Sequence, residues 1–137
     1  MKGWLVVNEF LQSKKFDEIH SWLLQAANKQ DIDMALKTNA SLMVELPADR
    51  EDAVRLEKPD FILFWDKDVK LAEHLEKLGF PVFNSARAIE TCDNKALTHL
   101  ALMHAGIRMP RTIIAPMTFE NIGYTNLDFA GRAAEKL

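Results

Sequence analysis

FILFWDKDVKLAEHLEKLGFPVF, residues 61–83, reads as strand, helix, strand. Phe61–Trp65 is a run of five large apolar residues bounded by Pro59 and Asp66, too short for a helix, and so predicts a strand in mid-sheet. Asp68 is placed to cap a helix that carries Leu71, Leu75 and Leu78 inward, pairs Glu73 with Lys77 outward, and stops at Gly79. Pro81–Phe83 is then a short second strand. Two strands joined through one helix by short connections form a right-handed parallel crossover, which commits the chain to the α/β class.

Upstream the same grammar repeats. Trp4–Val7 is wholly apolar and ends at Asn8, as a buried parallel strand would. Ser13 can cap a helix whose inward stripe is Phe16, Ile19, Leu23, Leu24 and Ala27. Ile32, Met34 and Leu36 alternate with Asp31, Asp33 and Ala35, the period of a less completely buried strand near the sheet edge. Ser41–Leu46 fits either a short strand or a helical turn. Residues 47–58 are dominated by charge and read as an exposed connection, with a turn or two of helix between Ala48 and Leu56. The expected fold is a three-layer, Rossmann-like α/β domain, its mostly parallel sheet flanked by helices. Ligands of such sheets bind at the carboxyl ends of the strands. The residues at those ends, Asn8, Asp66 and Asn84 with Ser85, are the candidate substrate rim. Each alone suits a cap equally well, and their shared rim is what makes them a site hypothesis.

Downstream, residues 83–111 read FNSARAIETCDNKALTHLALMHAGIRMPR. Asp93 is expected to cap a helix starting at Asn94, so that Lys95 falls in its first turn, with Leu97, Leu100 and Ala101 as the apolar stripe and Gly106 as the stop. A lysine there opposes the helix dipole unless it faces an anion. Thr112–Ala115 is expected to form another strand. Asp93, Lys95, Gly106, Ile107, Pro110 and Thr112 together resemble the junction of the ATP-grasp ligases. With FNS, Ile89, the FWDKD of Phe64–Asp68 and the GWLVVN near the start, the likeness is to RimK-type carboxylate–amine ligases. The resemblance implies an N-terminal pre-ATP-grasp domain over residues 1–116. Residues 117–137 would then be the connection and first helix of an ATP-grasp domain that continues beyond Leu137, the amphipathic Leu127–Leu137 having neither C-cap nor following strand. It further implies that Lys95 contacts ATP phosphate. ATP and magnesium would serve the full-length enzyme, which joins a small-molecule or peptide carboxylate to an amine through an acyl-phosphate. The missing C-terminal ATP-grasp domain is the implied partner, homo-oligomerisation is left open, and this chain alone is expected to be inactive and to hold no cofactor tightly.

Composition narrows the alternatives. The net charge is −3 and the 17 basic residues are scattered, so neither nucleic acid nor an anionic membrane is an expected partner. One cysteine, Cys92, excludes an internal disulfide and suits a reducing, cytoplasmic setting. Gly3, Gly79, Gly106, Gly123 and Gly131 are isolated, so there is no glycine-rich phosphate loop. Cys92 and His99 would lie about 10 Å apart if one helix spanned both, too far for a thiol and its base. His99 and His104 are spaced by five rather than four, so no metal site is proposed, and no catalytic residue is assigned. A second reading is a stand-alone Rossmann-like binding or interaction module without catalysis, since this architecture hosts many functions.

Overall fold

The computed structural model describes residues 1–46, 58–118 and 126–137. Among them four strands form one all-parallel sheet: β1 (Lys2–Val7), β2 (Asp33–Thr38), β3 (Phe61–Trp65) and β4 (Val82–Phe83), in the order β2-β1-β3-β4. The register places Leu5 beside both Leu36 and Leu63, and Leu63 beside Phe83. The expected class is therefore the observed one. β3 lies inside the sheet and β2 at its edge, as continuous apolarity and alternation respectively require.

Helices cover the sheet as the crossovers dictate. Ser13 caps α1 (Lys14–Asn28), its hydroxyl accepting the Phe16 N–H, and α1 packs along β2. Asp68 caps α2 (Val69–Lys77), its carboxylate accepting the Leu71 N–H at 3.0 Å. Gly79 turns the chain at φ +89°, a conformation that favours glycine. α3 (Ala86–Asp93) follows β4 and packs against α2. Trp4, Val6, Ile62 and Phe64, on one face of β1 and β3, close with Leu71, Leu75, Phe80 and Ala86 into the main core. Ile62 and Phe64 are fully buried, which stabilises the fold by about 1.5–3 kcal/mol each and fixes the height of the residues that follow at Asp66.

The described chain divides into two compact units, Met1–Asn94 and Lys95–Leu137. The first contains the sheet with α1, α2 and α3. The second contains α4 (Lys95–Leu102) and α5 (Asp128–Ala134). Two local expectations are corrected and one open alternative is resolved. Asp93 is the last residue of α3 and does not stand just before a helix starting at Asn94: Asn94, at φ −96° and ψ 111°, breaks the helix one residue later, and Lys95 opens α4. Thr112–Ala115 is exposed and forms no strand, because an apolar run becomes one only where a ladder partner takes its backbone groups. Leu42 ends a single 3₁₀ turn over Ala40–Leu42, and Met43–Leu46 is irregular. The helical turn expected between Ala48 and Leu56 lies outside the described residues.

Candidate functional site

In a parallel sheet every strand delivers its last residue to the same edge, so the residues just past β1, β3 and β4 must meet. Asn8, Asp66 and Asn84 do so, lining one open cleft of about 500 Å³ in the first unit. The contacts among them are short-range and polar. The Asn8 side-chain amide donates to both Asp66 carboxylate oxygens, at 3.2 and 3.3 Å, and its Oδ1 accepts the Phe10 N–H at 2.9 Å. The backbone N–H of Lys67 donates to Asp66 Oδ1 at 2.6 Å. Asn8 and Asp66 are both half-buried, so this network orients the carboxylate while leaving it open to the cleft.

Asn84 reaches the rim through an unusual backbone. Its φ is +62°, a left-handed conformation that asparagine tolerates better than most non-glycine residues, and its side-chain amide donates to the Phe64 carbonyl at 3.0 Å. The bond pins the turn after β4 to the end of β3. Ser85 serves the helix instead, its hydroxyl accepting the Ala88 N–H at 3.2 Å to cap α3, and it is not among the residues lining the cleft. Glu76 on α2 steadies the same turn by accepting the Ala86 N–H at 2.9 Å.

Sequence reasoning missed the walls of the cleft. Leu11, Phe16, His20, Phe64 and Trp65 supply them, with Lys67 at the margin. Phe16 and His20 are one helical turn apart on α1 and stack with ring centroids 6.3 Å apart. That spacing was visible in the sequence, but the side of α1 facing β3 rather than β2 was not. Trp65 is 43% exposed even though it ends the most apolar strand, so its ring is presented rather than packed away. Lys67 is turned aside: its ammonium pairs with the Asp93 carboxylate, with both side chains well exposed.

Lys95 belongs to the second unit, where it is exposed as the first residue of α4. Its ammonium is chemically suited to phosphate oxygens. Among the described residues no group of three or more His, Cys, Asp or Glu side chains is placed to hold a metal ion, and no helix is long and apolar enough to cross a membrane.

The chain is similar to two proteins of the mycoplasmas, both described as uncharacterized. It is 44% identical over 68 residues to one from Mycoplasma pneumoniae, a stretch covering 49% of this chain and 24% of that protein. It is 40% identical over 60 residues to one from Mycoplasma genitalium, covering 43% of this chain and 21% of the relative. The chain thus matches less than a quarter of the length of either. No protein-family model matches it.

Proposed function

We propose that this chain is the N-terminal, substrate-side domain of a cytoplasmic ATP-dependent carboxylate–amine ligase of the RimK type. The observation that carries the reading is the convergence of Asn8, Asp66 and Asn84 on one cleft at the carboxyl end of a parallel sheet. An oriented carboxylate, an amide and presented aromatic surface make that cleft suited to positioning a substrate, the main contribution a protein makes to this chemistry. ATP supplies the activation, converting a carboxylate into an acyl-phosphate that an amine can attack. Lys95 holds ATP phosphate in this reading, and the pre-ATP-grasp domain spans residues 1–116. The adenine pocket, the lid and the magnesium carboxylates belong to the ATP-grasp domain beyond this chain. The similarity to proteins of which the chain matches under a quarter agrees with a multidomain parent.

The test is Lys95→Ala in the full-length protein. The substitution should raise KM for ATP and lower kcat, because a phosphate contact serves both ground and transition states. Wild-type ATP kinetics in that variant would defeat the assignment of Lys95.

A further inference from the structure

The cleft has one charge left over, and it is negative. Asp66 Oδ1 accepts from the Lys67 backbone and the Asn8 amide, whereas Oδ2 accepts only the longer Asn8 contact at 3.3 Å. Both donors are neutral amides, and no ion pair to Asp66 forms among the described residues. The cation at the margin, Lys67, is held by Asp93. Around this carboxylate the surface is Leu11, Phe16, Phe64 and Trp65, with His20 stacked on Phe16.

An anion entering the cleft would meet the Asp66 carboxylate and would have to draw Lys67 away from Asp93. The carboxylate is the larger of the two obstacles to a phosphate group, since the exposed Lys67–Asp93 pair costs little to open. A cation meets the reverse: a half-buried carboxylate with an open oxygen, and aromatic faces that attract positive charge. Partial burial strengthens such a contact relative to one on the open surface, because water screens it less. The apolar walls would cover a hydrocarbon or aromatic body attached to that cation.

We propose that this cleft recognises a primary amine, bound as its ammonium to Asp66 through Oδ2, and carried on an aromatic or aliphatic body lying against Phe16 and Trp65. It therefore takes the amine-bearing partner of the ligation and not the carboxylate partner. The inference rests on reading the cleft as the substrate site. Asn8 is a positioning residue here, since it acts by orienting Asp66.

The experiment uses the whole 137-residue chain, isotopically labelled, and follows the amide resonances of Asn8, Asp66 and Asn84 by NMR. Three probes share one hydrocarbon body: phenethylamine, phenethyl alcohol and hydrocinnamate. Phenethylamine should shift those resonances with an affinity about tenfold above the alcohol, as one charge-assisted contact supplies, and hydrocinnamate should bind most weakly. Asp66→Asn should remove the amine's advantage and leave alcohol binding within about twofold, because the apolar walls are untouched. The ranking in the unaltered chain decides the matter even if that variant fails to fold. Hydrocinnamate binding as tightly as phenethylamine, or no cleft resonance responding to the amine, would overturn the inference. The ligase reading fails separately, through wild-type ATP kinetics of full-length Lys95→Ala.

Discussion

Replacing Asn84 isolates the cost of building the rim. At φ +62° a residue with a Cβ pays roughly 1–2 kcal/mol, and Asn84 offsets part of this through its bond to the Phe64 carbonyl. Asn84→Ala keeps the Cβ and loses the bond, whose net worth is about 0.5–1.5 kcal/mol, so it should destabilise the chain by about that amount. Asn84→Gly also loses the bond but relieves the left-handed strain. Against that relief stands about 0.5–1 kcal/mol of added backbone entropy in the unfolded state. The glycine variant should therefore be the more stable of the two by about 0.5–1 kcal/mol. Urea unfolding followed by tryptophan fluorescence reads both differences, provided the m-value is unchanged. A glycine variant as unstable as the alanine variant, or less stable, would refute the view that the backbone at Asn84 is strained and held by its side chain.

Three further outcomes follow from the same geometry. Asp68→Ala removes the cap of α2 and should cost about 1 kcal/mol by urea unfolding, whereas an unchanged midpoint would mean the Leu71 N–H finds another acceptor. Asp93→Ala should change stability by less than about 0.5 kcal/mol, since Asp93 is the last residue of α3 and its pair with Lys67 is solvent-exposed; a loss near that of Asp68→Ala would give it a structural role. ATP should bind the isolated chain no more tightly than millimolar, corresponding to about 4 kcal/mol from a few charge-assisted contacts without an adenine pocket. Micromolar affinity in a calorimetric titration would contradict that expectation.

The fold was legible because its strands and caps are local statements. Phe61–Trp65 can be little other than a strand inside the sheet, and Ser13 and Asp68 each precede an apolar stripe at helical spacing. The errors arose where the outcome depends on distant partners. Cys92, Asp93 and Asn94 contain two good capping residues, and local chemistry does not decide which of them ends α3. Thr112–Ala115 has the composition of a strand but forms no ladder. The polar rim of the candidate site was equally accessible: Asn8, Asp66 and Asn84 follow from the strand ends alone. Its aromatic wall did not, since it requires knowing that α1 carries Phe16 and His20 along the side nearer β3.

The central claim, that this domain serves acyl-phosphate ligation, is tested most directly by following oxygen. The full-length protein would be supplied with ATP, magnesium, an amine and a carboxylate whose oxygens are isotopically heavy, and the released phosphate analysed by mass spectrometry. Ligation through an acyl-phosphate transfers one heavy oxygen from the carboxylate to phosphate for each bond formed. Amide formation that leaves the phosphate unlabelled, or no amine-dependent phosphate release with any carboxylate, would contradict the claim.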